Sequence, residues 1–521
     1  MAASLDSIFA AGAAALDAND FGRAEALFGS IVAADPRSHE AWNALAVVAV
    51  RAGAPEIATE RARRALEFDR RNPLYLNNLG VAYGELRDFA AAEAQFRRAL
   101  KAKPVYAEAL YNLGKVLHKQ GRLGDALKAY ERAYAIDADH AGLRLNLAGM
   151  YLLHGRAERC VATLDQERGE RSDSFVGLYA EALAELQGRE AGIFWLERQV
   201  EMPGGERHRF ALGTMLLGRG RWQEGWNAYQ SRRSPSAAER VGHHAGVLPP
   251  RLDSKRIVLR GEQGLGDRLF FLRFAPRLRE LGAHVTLQCA PALAGVLRGA
   301  AAADEMIDEN APLDLGKFDY RIWLGDLPQI LENADTPPAL ALRRDADADA
   351  RAARQLAGFG PAPYLGITWR AGTDVLVRQE FAEEGRLLSK EISPALLGAA
   401  LRGWSGTLLA LQRHPAPGEI EALSQAAQQP VHNLSAANEN LAKMLALLGQ
   451  LQDYVTVSNT NLHLHAGIGG RAHVLVPRPA EWRWMDEGER SPWFPEFPIY
   501  RQPPSRDWTE PLSRLRRDLI G

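Results

Sequence analysis

The first half of the chain repeats one pattern of apolar and small positions every 34 residues. The pairs that set this period are Leu79-Gly80, Leu113-Gly114 and Leu147-Ala148. Each pair is followed at a fixed offset by a small residue: Ala92, Ala126 and Cys160. Such a period is typical of stacked helix–turn–helix repeats, in which small residues let paired helices approach and large residues fill the gap between pairs. The pattern predicts about seven repeats over residues 4–233.

Aromatic positions in the same register make these repeats resemble the tetratricopeptide family. Tyr83 and Tyr151 fall in predicted first helices, Phe96 and Tyr130 in second helices, and Pro104 closes one repeat. An apolar stripe at helical spacing is usually core, so we interpret the repeated positions as structural. The resemblance implies an α-solenoid over residues 1–235 whose extended surface recruits a protein partner.

Three asparagines, Asn78, Asn112 and Asn146, precede the leucine of consecutive repeats. A primary amide carries both a donor and an acceptor, which suits a peptide backbone. The series resembles the asparagine ladder of the eukaryotic O-linked N-acetylglucosamine transferase, which implies that these residues bind the protein substrate. The alternative is that the amides only form hydrogen bonds between repeats.

A second architecture begins after a Ser-, Gly- and Pro-rich linker, residues 236–253. A β-branched run at 256–260, a glycine-rich turn at 261–267, a helical segment and a second strand at 284–289 predict a βα unit. The turn lacks the dinucleotide fingerprint and the lysine of a phosphate-binding loop, so neither NAD nor ATP binding is supported.

The segment Gly264-Leu-Gly266-Asp267 resembles the Gly-Asp turn that opens bacterial heptosyltransferases and related enzymes of the two-lobed GT-B fold. This resemblance implies two Rossmann-like lobes, at 254–360 on the acceptor side and 361–500 on the nucleotide-sugar side. It also implies that Asp267 is the general base towards the acceptor hydroxyl. A plain helix N-cap is the alternative for this carboxylate. Residues 501–521 are expected to form a helix that crosses back to the first lobe.

The second lobe supplies the candidate binding residues for a nucleoside diphosphate. A buried-type strand ends in Arg370, and the later Lys390 lies where related transferases carry a diphosphate-binding lysine; Arg413 follows another predicted strand. Surface cations are the alternative for each of them. A further strand runs into a helix start that suits an anion. The residues there, with the glycine of the first turn, complete the predicted donor site: Gly266, Ser458, Asn459, Thr460, Asn461 and His463.

This helix start resembles the Asp-Thr-x-x-x-His-Leu-Ala element of heptosyltransferase-like enzymes and departs from it. Asn459 replaces the acid, Asn461 replaces a small residue, and the histidine is displaced by one position. His463 and His465 are two residues apart on a helix, so a shared metal ion is not expected. We interpret the acidic string at 345–349 as a solvated face and predict no metal and no resident cofactor. The aromatic residues at 482–500 are either a packed loop or a stacking surface for base or sugar.

Composition narrows the class of protein. The 63 Lys+Arg and 64 Asp+Glu nearly cancel, which argues against wholesale binding to nucleic acid or to an anionic membrane. Two cysteines, no apolar run long enough for a bilayer and no cationic leader favour a cytoplasmic location.

The expected function is therefore glycosyl transfer from a nucleoside-diphosphate sugar to a Ser or Thr hydroxyl of a recruited protein. By family analogy this acceptor is flagellin or another surface protein. Two alternatives stay open: a catalytically inactive repeat scaffold, and a transferase whose acceptor is a saccharide.

Overall fold

The computed structural model describes residues 4–140, 142–166, 171–232, 236–332, 335–371 and 390–521. The chain divides into two compact units, Met1–Glu170 and Arg171–Gly521. The sheets both belong to the second unit. No helix among the described residues has the length and apolar character needed to cross a bilayer.

The first unit is built of helices joined by short turns. They are α1 (Leu5–Asp17), α2 (Phe21–Ala34), α3 (His39–Arg51), α4 (Pro55–Phe68), α5 (Pro73–Glu85), α6 (Phe89–Ala102), α7 (Ala107–Lys119), α8 (Leu123–Ile136), α9 (Leu143–Leu153) and α10 (Ala157–Leu164). Local chemistry starts them: Asn72 caps α5 by accepting from the backbone N–H of Leu74 at 3.0 Å, and Pro73 occupies the first helical position.

Repeated glycines bring the two helices of a repeat together. A Cβ placed on Gly80 of α5 would lie 2.6 Å from the Phe96 ring of α6, and one on Gly114 would lie 2.6 Å from the Tyr130 ring. The aromatic rings are buried. The small and large positions of the 34-residue pattern are therefore complementary within these two repeats, which confirms their structural interpretation.

Four further helices continue the repeat pattern but belong to the second unit. They are α11 (Asp173–Gln187), α12 (Arg189–Glu201), α13 (Arg209–Gly218) and α14 (Trp222–Tyr229). Trp226 of α14 packs edge-on against Trp482, with ring centroids 5.2 Å apart, and against Phe271 at 6.1 Å. The compact boundary thus falls at residue 170, inside the predicted repeat region. A short helix, α15 (Ala237–Arg240), lies in the predicted linker.

The first sheet is parallel, with strand order β3-β2-β1-β4. Its strands and helices are β1 (Arg256–Arg260), α16 (Leu265–Phe271), α17 (Ala275–Glu280), β2 (His284–Cys289), α18 (Pro291–Leu297), β3 (Glu305–Asp308), β4 (Tyr320–Trp323), α19 (Leu327–Ile330) and α20 (Ala346–Ala357). The apolar faces of β1 and β2 are buried because helices cover both sides of a parallel sheet.

The second sheet is also parallel, with strand order β10-β9-β8-β5-β6-β7. Its elements are β5 (Tyr364–Thr368), α21 (Pro394–Ala400), β6 (Thr407–Ala410), α22 (Glu419–Ala427), β7 (Val431–Asn433), α23 (Leu441–Leu448), β8 (Asp453–Thr456), α24 (Thr460–Gly467), β9 (Ala472–Val476), β10 (Ile499–Arg501) and α25 (Thr509–Ile520). This is the doubly wound order, whose crevice lies where β5 and β8 adjoin. The first sheet has the order of one half of that fold.

Short 3₁₀ helices connect several of these elements: Gly205–His208, Leu272–Phe274, Leu315–Lys317, Leu324–Asp326, Ser435–Glu439 and Trp482–Trp484. The C-terminal helix α25 packs on α21 and β10. Its buried residues Leu512 and Leu515, and Trp508 directly before it, share a core with the second sheet. These contacts belong to the second lobe, and the crossing to the first lobe that the resemblance implied stays a prediction.

Candidate functional site

The glycine-rich turn of the first sheet meets the helix start of the second. Helix α16, which carries Gly266 and Asp267, contacts α24. A Cβ on Gly266 would lie 3.3 Å from Cδ2 of His463 and 3.4 Å from Oγ1 of Thr460. Two motifs that lie far apart in sequence therefore form one site, at the carboxyl edges of β1 and β8, where doubly wound folds bind ligands.

The two asparagines of the helix start support the local fold. Asn459 is the N-cap of α24: its Oδ1 accepts from the backbone N–H of Leu462 at 3.0 Å, and its Nδ2 donates to Thr456 Oγ1 at 2.7 Å. Asn461 is buried and donates to Asn438 Oδ1 at 3.0 Å. The first turn of α24 is thus held rigidly, with a neutral cap in place of an acid.

A chain of alternating charges crosses the site from one lobe to the other. Lys390 Nζ lies 2.6 Å from Glu481 Oε2, which also accepts from Ser458 Oγ at 2.9 Å. Glu481 Oε1 binds Arg483, whose guanidinium also binds Oδ1 of Asp267 in the first lobe. Lys390 lies at the switch point because its carbonyl accepts from the N–H of Ala371, just beyond β5.

Arg273 adds a third cation. It is 4% exposed, and its hydrogen bonds go to the backbone carbonyls of Phe270, Pro337 and Trp493. Burial, and secondarily the charge of Arg483, lowers its pKa to about 9. Among the described residues, three cations (Lys390, Arg273 and Arg483) and two carboxylates (Asp267 and Glu481) therefore meet here, which is an excess of positive charge in a setting where unpaired charge is costly.

Burial and this excess of positive charge lower the pKa values of two ionisable groups of the site. Burial and the charge of Arg483 lower the pKa of Lys390 to about 8, while Asp267 opposes the shift. Burial and the charges of Arg483, Arg273 and Lys390 hold the pKa of His463 well below its usual range. The imidazole is thus neutral, and bound negative charge would relieve the repulsion among its cationic neighbours.

The other two predicted cations lie differently. Arg370 is buried, forms an ion pair with Glu419 of α22 and donates to the carbonyl oxygen of His414 at 2.7 Å. This arrangement ties α22 to the end of β5, so its guanidinium is engaged in the fold. Arg413 is exposed. Of the three predicted cations, Lys390 is the one that the structure places in the charge chain.

The aromatic residues after β9 form core. All are 6% exposed or less: Trp482, Trp484, Trp493, Phe494, Phe497 and Tyr500. Trp493 packs on Phe270 of the first lobe at 5.1 Å and on Trp222 of α14 at 5.1 Å. The packed loop is therefore the correct interpretation of this stretch, and its rings are not available as a stacking surface in this structure.

Glu481, Arg483 and Arg273 are the site residues that sequence reasoning missed. The Trp-Arg-Trp string held the only signal, a charged residue between two aromatic residues expected to be buried. Arg483 and Asp267 are 216 residues apart, so no local pattern joins them.

Hydrogen bonds connect the asparagine series from repeat to repeat. Asn78 donates to Asn43 Oδ1 at 2.8 Å, Asn112 to Asn77 Oδ1 at 3.1 Å and Asn146 to the Tyr111 hydroxyl at 3.1 Å. The three donor residues are half-buried. Inter-repeat bonding is thus observed for all three side chains, and binding of a protein substrate by them stays a prediction.

Metal-binding chemistry has no candidate among the described residues: no group of three His, Cys, Asp or Glu side chains is placed to hold an ion. In the acidic string, Asp345 caps α20 by accepting from Ala348 N at 2.7 Å, and Asp349 pairs with Arg344 at 2.9 Å. These contacts agree with a solvated helix start.

Comparison with known proteins identifies the repeats. Residues 9–73, 77–141 and 117–186 match models of the tetratricopeptide repeat. The N-terminal region is a tetratricopeptide-repeat array. Such arrays bind protein partners on extended surfaces, so this region is suited to protein interaction.

The chain is also similar to individual proteins of known name. The chain is 25% identical to Protein FlbA of Caulobacter vibrioides over 96% of this chain and 87% of that protein. It is 31% identical to the type IV pilus assembly protein PilF of Pseudomonas aeruginosa over 22% of this chain and 47% of that protein. A solved PilF structure covers 39% of this chain and 92% of its own, at 21% identity and a TM-score of 0.36.

Proposed function

We propose that the protein is a glycosyltransferase that moves a sugar from a nucleoside-diphosphate donor to a Ser or Thr hydroxyl of a protein recruited by the repeats. The observation that carries the proposal is the cation excess at the junction of the Gly-Asp turn and the start of α24. Two parallel sheets in doubly wound order support a two-lobed GT-B arrangement. Similarity to one relative over nearly the whole chain supports a shared architecture, although its name states no activity.

Asp267 is the proposed base. It takes the proton of the acceptor hydroxyl while that oxygen forms a bond to the anomeric carbon of the sugar. The bond from this carbon to the diphosphate oxygen breaks, and its electron pair stays on the departing diphosphate. Lys390 and the first turn of α24 stabilise that negative charge. The proton then passes from Asp267 to solvent.

The donor class is tested by thermal-shift measurements with UDP, GDP, ADP and their sugars, followed by hydrolysis assays with any sugar nucleotide that binds. We expect one nucleoside diphosphate to raise the melting temperature and its sugar to be hydrolysed slowly. Asp267→Asn should keep binding and lose turnover by about 10²-fold or more. Absence of binding and turnover across the panel would favour the inactive scaffold.

The acceptor is tested by capture on the full-length protein. A flagellin or another surface protein of the same cell should be retained and become glycosylated when the donor is added. Transfer to a free saccharide with no protein retained would instead support the saccharide acceptor.

A further inference from the structure

We propose that Arg483 is a positioning residue for glycosyl transfer, which fixes the Asp267 carboxylate so that its second oxygen is left to take the acceptor proton. The inference rests on the function proposed above. Arg483 comes from the lobe opposite to that of the proposed base. It also connects this base to the residues that are proposed to hold the diphosphate.

The guanidinium of Arg483 forms a fork, because it lies between two carboxylates and binds both. One Arg483 nitrogen binds Glu481 and another binds Oδ1 of Asp267. Among the described residues, hydrogen bonds reach Oδ1 of Asp267 and none reaches Oδ2. The Asp267 side chain is 34% exposed, so the carboxylate is not sealed off from solvent. One oxygen is thus anchored and the other is available to a substrate hydroxyl.

The fork itself is rigidly held. The Arg483 side chain is 5% exposed, and its guanidinium lies 4.6 Å from the ring centroids of both Phe270 and Trp482. Glu481 is equally buried and is oriented by Lys390 and Ser458. A planar guanidinium can bind two carboxylates in fixed directions, which a lysine ammonium cannot do. Positioning of a reacting group at this precision affects rate strongly, since a misplacement of about 1 Å costs up to about 10²-fold.

The chain of contacts also joins the base to the diphosphate site. Among the residues that the structure describes, the charged and titratable groups that face Lys390 are Glu481, Arg483, Asp267 and His463. Arg483 lowers the pKa of Lys390, and Asp267 raises it. Loss of Arg483 should therefore move the titration of Lys390 to higher pH, and loss of the Asp267 charge should move it to lower pH.

The test compares Arg483→Lys and Arg483→Met in the full-length protein with the nucleotide sugar found active above. We expect both variants to lose about 10- to 100-fold in kcat. Arg483→Lys keeps the positive charge and should hold the affinity for the nucleoside diphosphate within about 3-fold, because the fork rather than the charge is lost. The exposed Arg490, on the same segment, gives the control Arg490→Met, which should behave like the parent protein.

A second readout follows the pH dependence of nucleoside-diphosphate binding. In Arg483→Met the loss of binding on the alkaline side should occur at higher pH than in the parent protein, whereas in Asp267→Asn it should occur at lower pH. A melting temperature within a few degrees of the parent shows that the variants fold.

The outcomes separate the two proposals. Parent protein without turnover on any donor contradicts the proposed function itself. Active parent protein with unchanged kcat in Arg483→Lys, or with an effect of Arg483→Met on KM alone, overturns the positioning role and leaves the transferase standing. If Arg483→Met does not fold, Arg483→Lys and Glu481→Gln test the positioning role in its place, because both variants retain most of the packing.

Discussion

At the scale of single residues, the site brings several buried or half-buried cations together around few carboxylates. Arg273 has carbonyl and aromatic partners, and Lys390 shares the one carboxylate of Glu481 with Arg483. Desolvated cations weaken a fold unless they are compensated. A ligand that brings negative charge, as proposed above, would compensate the cations of this site.

Lys390 makes this proposal testable through pH. Because the pKa of its ammonium group is lowered to about 8, the positive charge is present at neutral pH and is lost as pH rises through that value. A diphosphate is fully ionised there, since its last proton leaves near pH 6. Its affinity should therefore fall above pH 8, measured by calorimetry. Lys390→Met should weaken binding at pH 7 by about 10-fold and abolish this pH dependence.

Lys443 provides the matched control for that experiment. It is an exposed lysine on α23, and Lys443→Met should bind like the parent protein at every pH. Equal affinity of Lys390→Met and the parent at pH 7 would remove Lys390 from the site.

At the scale of the element, some repeats depend on a glycine that admits a ring, as Gly80 admits Phe96 and Gly114 admits Tyr130. In Gly80→Ala the new methyl group would lie 2.6 Å from the buried Phe96, and overpacking of this kind costs about 1–3 kcal/mol. In Gly84→Ala, on the same helix, the methyl group meets nothing within 4 Å, and the gain in helix propensity is up to about 1 kcal/mol.

Hydrogen exchange of peptides from α5 and α6 measures both effects. Protection should decrease in Gly80→Ala and be kept or increased in Gly84→Ala. Equal protection in the two variants would contradict the proposed fit between glycine and ring.

The asparagine series allows binding to be separated from repeat packing. Asn78→Ala removes the amide of this half-buried residue and its bond to Asn43, whereas Asn43→Ala removes the same bond but leaves the Asn78 amide in place. If the amides bind the protein substrate, affinity for the captured acceptor should fall only in Asn78→Ala. An equal loss in both variants, measured by surface plasmon resonance, would assign the series to inter-repeat bonding alone.

At the scale of the whole molecule, the sequence predicted the elements that regular spacing encodes. It did not predict the contacts between residues that are far apart in the sequence. The 34-residue period located the repeats, and the strand–glycine–helix pattern located the turn that carries Asp267. The engagement of Arg370 by Glu419 and the partnership of Arg483 with Asp267 depend on which residues the fold brings together. No local pattern encodes such contacts. The predicted end of the repeats at residue 235 has the same cause. The repeat pattern continues past the point where the helices begin to pack on a different part of the chain, so periodicity alone does not locate this boundary.

The boundary between the two compact units therefore predicts which fragments of the chain fold. Arg232, at the end of the repeat region, is buried between Glu262 and Asp326, at 2.7 and 2.5 Å. A fragment that begins at residue 236 would leave both carboxylates buried without this arginine, and loss of one partner of a buried ion pair costs about 3–5 kcal/mol. It would also lose Trp226, which packs on Trp482.

A fragment of residues 171–521 keeps these contacts, so it should melt cooperatively and bind the nucleoside diphosphate as the full-length protein does. The fragment of residues 236–521 should aggregate or melt without a cooperative transition. Arg232→Met in the full-length protein isolates the charge effect from the loss of helices, and it should lower the melting temperature of this unit. Two equally stable fragments would show that α11 to α14 are dispensable to the sheets, which the buried ion pairs and the shared aromatic core argue against.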